Sequence, residues 1–493
     1  MLHVANVGIF KGIVGDKSTG DVYMLRALLE PKSIAVIGAS RTPGKIGYVI
    51  LRNIVAYGYT GKVYPINPYA DEILGLKAYP SVLSVPDEID VAVIAIPAPE
   101  VPKAIEECGK KGVKVVVVIT AGFSEVGNVE LEERIVQIAR SYGMRILGPN
   151  IFGYAYTPRN INATFGPLEI ERGNIALITQ SGALGIALMG WTIMNEIGLS
   201  ALFSIGNMAD IDVAELAELL LDDPNTRVIA IYLEGIKPGR GRMFIEKMSK
   251  VTVEKPVVVI KAGRTARGMK AVASHTGSLA GSDQLYEAAF KQAGIIRAYT
   301  VEEMFDIARA FAQQPLPRGE NTVIITNGGG VGVLATDAAE LTGVKLLEPS
   351  QRLLEAFKQT MPWFGSPKNP VDLTGQAGVD NYIKALKVAV ESPEVDNIVI
   401  LYCRTAVLDP RELAKAIVEF YEENKVEKTT VASFVGGQDT YEAMRYLNRH
   451  GIPAYPSPER GINALAKMIW YKKYRDKKKK QQEVSATPAS IQA

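Results

Sequence analysis

Two glycine turns are where this sequence is best equipped to handle a charged substrate. In Ile178-Thr-Gln-Ser-Gly-Ala-Leu-Gly185 and Ile325-Thr-Asn-Gly-Gly-Gly-Val-Gly332, an isoleucine, a threonine, an amide residue and two glycines fall in register. Each reads as a strand end, a tight turn and the start of a helix. Such a turn gathers unpaired backbone N–H groups and the positive end of the helix dipole at one spot. A phosphoryl group is the anion this arrangement holds, and glycine lets it approach the amides. Glycine at these positions can equally serve to pack helix on strand. The recurrence in two successive segments favours the phosphate reading, and two helix ends facing each other would hold one phosphoryl group between them.

The chain has 3 histidines. His3 lies in a patternless N-terminal stretch, and His450 precedes Gly451 at a predicted helix end, where a positive side chain suits the dipole. His275 differs. It sits in Ala271-Val-Ala-Ser-His-Thr-Gly-Ser-Leu-Ala-Gly281, among small and hydroxyl residues, after the basic Lys261, Arg264, Arg267 and Lys270. That composition predicts a mobile surface loop. A lone histidine is more often structural than catalytic, but neutral imidazole can attack a phosphoryl group near pH 7 and give a phosphohistidine. Its other ring nitrogen then needs an acceptor, and Glu234, at the carboxyl end of the strand in Ile231-Tyr-Leu-Glu-Gly235, is placed to supply it.

The elements that must position these groups alternate between β-branched runs and helical patterns. Strands are expected near 33–38, 61–66, 91–96 and 113–119. A second set falls near 175–179, 199–204, 228–233 and 256–261, and a third near 322–326, 397–402 and 430–435. Nearly continuous apolar strands separated by helices describe parallel sheets buried on both faces. Three α/β domains in series follow, at 24–150, 151–316 and 320–467, with a proline-containing linker at 313–319. Residues 1–23 read as an extension expected to be disordered, with Met24 as an alternative start. Residues 468–493, beginning in a basic run, read as a disordered, solvated tail.

The first domain carries a third turn, Gly38-Ala-Ser-Arg-Thr-Pro-Gly44. It lacks the G-x-G-x-x-G spacing, and the second strand ends in Ile66-Asn-Pro68 where an NAD-binding fold has an acidic residue, so NAD is disfavoured. Ser40, Arg41 and Lys45 suit a ligand with several phosphates, such as coenzyme A. Asn67, Pro68, Ile96, Pro97 and Asn150, at the following strand ends, would line its channel beside Gly38. A Rossmann-like domain without a ligand is the alternative.

Composition narrows the class. A chain of 493 residues exceeds one core. With 55 basic against 53 acidic residues there is no global field to favour nucleic acid or a membrane surface. Cys108 and Cys403 cannot build a disulfide framework or a zinc site, which points to the cytoplasm, and no metal site is read. No apolar run reaches the roughly 18–20 residues that span a bilayer.

Taken together, the motifs resemble the α subunit of the ADP-forming (NDP-forming) acetyl-CoA synthetases, relatives of succinyl-CoA synthetase. The carrying segments are Val36-Ile-Gly-Ala-Ser-Arg-Thr-Pro-Gly-Lys-Ile-Gly47, Gly148-Pro-Asn-Ile-Phe-Gly153, Thr179-Gln-Ser-Gly-Ala-Leu-Gly185, Ser274-His-Thr-Gly-Ser-Leu-Ala-Gly281, Asn327-Gly-Gly-Gly-Val-Gly332 and Asn369-Pro-Val-Asp-Leu-Thr-Gly375. The resemblance implies a Rossmann-like CoA-binding domain followed by two flavodoxin-like domains. It implies acetyl-CoA + ADP + phosphate ⇌ acetate + ATP + CoA, through an acyl phosphate and a phosphohistidine. His275 matches the phosphorylated histidine and Glu234 its supporting glutamate. Gln180, Ser181, Gly182 and Ala183 match one phosphate cradle, and Asn327, Gly329, Gly330 and Val331 the other. ADP/ATP with Mg2+ would sit mainly on a separate ATP-grasp β subunit, in an α2β2 heterotetramer, since this chain carries no Walker lysine motif. A CoA-binding regulatory module without catalysis, an acyl-CoA transferase, and a branched-chain or aryl substrate are the competing readings.

Overall fold

The computed structural model describes residues 23–276 and 282–486, with side chains except those of 273–276 and 485–486. Its strands form three main sheets. The first orders β2 (Lys62–Ile66), β1 (Ser33–Ile37), β5 (Val91–Ile94), β6 (Val115–Val118) and β7 (Arg145–Leu147), all parallel. A small hairpin, β3 (Glu72–Ile73) with β4 (Leu76–Lys77), stands apart. Runs such as Val115–Val118 are buried throughout, because helices cover both faces.

The second sheet orders β14 (Ile296–Ala298), β13 (Val257–Lys261), β12 (Val228–Leu233), β10 (Arg172–Thr179), β11 (Leu199–Ser204), β8 (Gly153–Tyr156) and β9 (Ile161–Thr164). The last two form an antiparallel hairpin added at one edge. The third orders β16 (Val371–Asp372), β15 (Thr322–Thr326), β17 (Asn397–Cys403), β18 (Thr429–Val435) and β19 (Ala454–Tyr455), all parallel. In a parallel sheet all carboxyl ends share one side, and the glycine turns follow β1, β10 and β15 there.

Buried polar pins join the first sheet to the second. Asp210, after β11, accepts from Arg145 Nε of β7 at 2.9 Å, from the Ile146 N–H at 2.8 Å and from Arg140 Nε at 2.8 Å. Glu215 takes Arg145 Nη2 at 2.9 Å. Both Arg145 and Asp210 side chains are 1% exposed. Asn53 of the helix Ile46–Ala56 donates to the carbonyls of Thr164 and Gly166 at 2.9 and 3.0 Å.

Two expectations need correction. The tail is not disordered from 468: one helix runs Pro458–Ala486. Its packed stripe continues into the basic run, with Tyr471 buried edge-on against Phe311 at 5.3 Å and Arg475 Nε donating to the Val253 carbonyl at 3.1 Å. Lysine and arginine are good helix formers, so the charge lines one face instead of breaking the helix. The segment expected as a mobile loop from Ala271 is likewise helical through Thr276, in the helix Ala266–Thr276. Thr265 Oγ1 caps it by accepting from the Gly268 N–H at 3.0 Å. Residues 277–281, 1–22 and 487–493 lie outside the described ones.

Candidate functional site

The turn after β1 divides its glycines between packing and access. Gly38 has φ +88°, and a Cβ there would stand 2.4 Å from the Ala95 carbonyl oxygen. A Cβ at Gly47 would meet the Gly38 carbonyl at 2.0 Å, so these two let helix and turn touch. Around them Ser40 Oγ accepts from the Thr42 N–H at 3.1 Å, and Arg41 reaches the Tyr69 carbonyl at 3.3 Å. Asn67 Nδ2 donates to the Ala39 carbonyl at 2.8 Å, bracing the turn. Arg41, Lys45 and Pro68 are exposed, and no side chain caps the helix that begins at Ile46. A basic rim thus surrounds an open helix N-terminus.

From this rim a cavity of about 600 Å3 runs between the first and second sheets. It brings together Ile96, Pro97 and Asn150 from one side with Gln180, Gly182 and Ala183 from the other. Gly182 opens the helix Gly182–Met194, and a Cβ on it would meet nothing within 4 Å. Gly185 is a packing glycine, since its Cβ would fall 2.4 Å from the Phe152 ring. Ser181 Oγ caps the helix through the Leu184 N–H at 3.4 Å. The Gly182 and Ala183 N–H groups at the wall have no hydrogen-bond partner among the described residues. Apolar walls from Ile46, Phe152, Phe165 and Ile186 complete the space.

The amide residues of the repeat have a shared task. Gln180 Oε1 accepts from the N–H groups of Glu234 and Gly235 at 2.7 and 3.0 Å. Asn327 exchanges two bonds with Cys403, donating to its carbonyl at 3.0 Å and accepting from its N–H at 2.8 Å. Each amide ties its turn to the neighbouring strand's end, and each side chain is thereby occupied. None of Asn327, Gly329, Gly330 and Val331 lines the cavity. At their turn the Gly329 and Gly330 positions are exposed, with Asp372 Oδ2 3.2 Å from where a Gly329 Cβ would stand.

Glu234 is buried one residue beyond Leu233, the register partner of Lys261. Lys261 is itself buried, its Nζ bonded to the Ala262 carbonyl and 4.5 Å from the Tyr286 ring centre. Burial pushes its ammonium down to about 8, against the pull of Asp283 and with the push of Arg297, while Glu234 pulls it up. The unfolded value is near 10.5. Between these values the folded chain binds fewer protons than the unfolded one, so this group's contribution to stability rises with pH there. Wild-type protein should therefore gain stability relative to Lys261→Met between pH 8 and pH 10 in urea unfolding. A difference that stays flat across that range removes Lys261 as the source.

His275 lies in the last turn of the helix Ala266–Thr276, and its side chain is outside the described atoms. That helix packs on the 3-10 turn Ser124–Val126, which is tied to the cavity. Glu125 and Glu132 both accept from Asn207 Nδ2, at 2.6 and 2.8 Å. Asn207 lines the cavity and takes Asn150 Nδ2 at 3.2 Å on its own oxygen. Burial alone would raise Glu125, but the bonds from Asn207 and the Gly122 and Phe123 N–H groups hold it below the usual carboxylate range. Asn207, Glu125 and Glu132 were not readable as site residues. Only the position of Asn207, just past a parallel strand's carboxyl end, could have flagged it.

The matches to known proteins follow the same three sheets. The family model described as a CoA binding domain matches residues 32–157, that of a succinyl-CoA ligase like flavodoxin domain 172–311, and that of a Ligase-CoA domain 322–477. The chain is 56% identical, over 92% of its length and 99% of the relative's, to a Pyrococcus furiosus protein named acetate–CoA ligase (ADP-forming) I subunit alpha. A Methanocaldococcus jannaschii protein named acetate–CoA ligase (ADP-forming) is 45% identical over 92% of this chain, which spans 64% of that longer relative. The solved structure of the dinucleotide forming acetyl-coenzyme A synthetase 1 of Ca. Korarchaeum cryptofilum, in complex with phosphate and ADP, superposes with a TM-score of 0.90 at 52% identity, covering 93% of this chain and 98% of that one. The chain belongs to the family of ADP-forming acetate–CoA ligase α subunits.

Proposed function

We propose that the chain is the α subunit of an ADP-forming acetyl-CoA synthetase, catalysing acetyl-CoA + ADP + phosphate ⇌ acetate + ATP + CoA. The observation that carries the reading is the shared cavity, where Ile96, Pro97 and Asn150 face the helix start at Gly182 and Ala183. The residues suit coenzyme A: a basic rim of Arg41 and Lys45 at an uncapped helix end for its phosphates, and an apolar channel for its pantetheine arm. Phosphate belongs at the free N–H groups of Gly182 and Ala183, within reach of the thioester carbon.

In this reading a phosphate oxygen attacks the thioester carbonyl, the C–S bond breaks, and the CoA thiolate leaves. A ring nitrogen of His275 then attacks phosphorus, and the P–O bond to the acyl oxygen breaks to release acetate. Glu234 accepts a hydrogen bond from the other ring nitrogen, fixing the tautomer and balancing the charge on the ring. Gln180 acts as a positioning residue, holding the backbone of Glu234. The turn Asn327, Gly329, Gly330 and Val331 serves as the second stop for the phosphoryl group, which ADP then takes.

The nucleotide stop is assigned to an ATP-grasp β subunit in an α2β2 assembly, in the cytoplasm. Magnesium, when bound with the nucleotide, supplies charge neutralisation. Among the described residues no three His, Cys, Asp or Glu side chains gather to hold a metal ion. The subunit name of the Pyrococcus relative and the greater length of the Methanocaldococcus one fit this division. No helix among the described residues is long and apolar enough to cross a membrane.

The test is direct. The full chain, with and without its partner, is incubated with acetyl-CoA and labelled phosphate, and acid-labile, base-stable label on the protein is counted. Its absence in both arms overturns the reading in favour of a regulatory module. Glu234→Gln should lower the rate of labelling by about 10- to 100-fold, with CoA affinity changed less than about twofold. Equal loss of both would remove Glu234 from its role.

A further inference from the structure

The second sheet has another opening at its far end, where β10 and β12 begin. There a groove of about 650 Å3 lies between β10, the end of the helix Val301–Gln313, and the end of the helix Gln438–Arg449 from the third sheet. Arg172, Arg227, Arg309 and Arg449 line it, against the carboxylates of Glu171 and Glu196. One of those carboxylates is already taken. Glu196 accepts from Arg445 Nε at 2.9 Å and from Arg449 Nε at 3.0 Å.

The other three guanidiniums have only neutral hydrogen-bond partners among the described residues. Arg172 donates to the Thr157 carbonyl at 3.1 Å and to Asn160 Oδ1 at 2.7 Å. Arg227 reaches the Gln314 carbonyl at 3.3 Å, and Arg309 the Asn195 carbonyl at 2.8 Å. Among the described residues none of the three forms an ion pair, although the chain as a whole is nearly neutral at +2. Burial lowers Arg227 and is the main influence lowering Arg309, which Asp306 and Glu196 pull the other way. Such a site attracts anions, and the planar forks of arginine match phosphate oxygens two at a time.

Two further features make this a formed site. The register of β10 against β11 slips between Arg172 and Ile175, as at a bulge, and the Gly173 and Gly198 backbones touch there. A Cβ on Gly173 would fall 2.5 Å from the Gly198 Cα, so the groove floor is bare backbone. Gln313, in the wall, donates through Nε2 to the Asn448 carbonyl at 2.7 Å, which ties the helix Val301–Gln313 to the third sheet across the groove.

We propose that this groove is an anion site, separate from the cavity at Gly182, that binds a chain of phosphates through Arg172, Arg227 and Arg309. β10 joins the two places: Arg172 stands at its start and Gln180 just past its end, about 26 Å of strand away. The site therefore stands apart from the transfer chemistry.

Titration calorimetry of the full chain in EDTA tests it, with ATP and inorganic triphosphate as separate probes. Both probes are expected to bind, and the variant Arg227→Ala/Arg309→Gln to weaken them by at least about tenfold while phosphate labelling from acetyl-CoA stays unchanged. Arg172→Gln, at a third position, gives the same loss if the double variant misfolds by circular dichroism. ATP binding tighter than triphosphate supports the site with a nucleotide as its ligand. Equal binding of the two supports it with an inorganic phosphate chain as the ligand. No heat with either probe, or an affinity that none of these substitutions moves, overturns the site.

Discussion

Replacing His275 with alanine is expected to abolish protein-bound label from acetyl-CoA and phosphate, and to cut the overall rate by at least about 1,000-fold. The size follows from the proposed role: the imidazole is the phosphoryl carrier, and the chain's other histidines are His3 and His450. His450 is engaged elsewhere, its Nδ1 2.8 Å from the Tyr446 carbonyl and its ring against Tyr446. Binding of CoA should be unaffected, because the cavity and its basic rim belong to other elements. Acetyl phosphate, formed before the histidine acts, should still be trapped by hydroxylamine. Label on His275→Ala at the wild-type level would place the phosphoryl acceptor on another residue.

The second large effect concerns stability. Asp210→Ala is expected to cost about 3–5 kcal/mol, because it strands the Arg145 guanidinium in a site with 1% side-chain exposure. It also removes the acceptor for the Ile146 N–H. Asp210→Asn keeps that acceptor and should cost less. Urea unfolding compares the two, and a loss below about 1 kcal/mol for Asp210→Ala would show that Glu215 alone satisfies Arg145. Because the pin joins β7 to the segment after β11, the lost stability should appear as earlier opening between the first two sheets in hydrogen exchange.

The sheets were largely legible because their strands are short, largely apolar runs, most of them rich in valine and isoleucine. Strands at 199–204, 228–233 and 322–326 appear at the expected bounds. The hairpin of β8 and β9 escaped notice, since its Tyr, Ala and Asn residues give neither an apolar run nor clean alternation. The tail was misjudged for a related reason. Ten residues dominated by lysine and tyrosine hide the spacing of Met468, Tyr471 and Tyr474, whose ring lies against Gly294. At the site, glycine turns announced themselves, but sequence could not say which glycine faces open space. Gly182 and Gly185 look alike on paper and differ only in what their missing Cβ would meet. Nor does anything local to Asp210 or Asn207 reveal partners 57 to 83 positions away.

The helix Pro458–Ala486 lies along the helices Val301–Gln313, Gly329–Thr342 and Gly241–Glu254. Anyone building hybrids from related enzymes inherits a constraint from that strap. Exchanging the last third of the polypeptide also exchanges the lid over Phe311 and Thr252 of the middle third. Splices near 316 will therefore succeed only when donor and recipient agree along that seam, however well each half folds in its own parent.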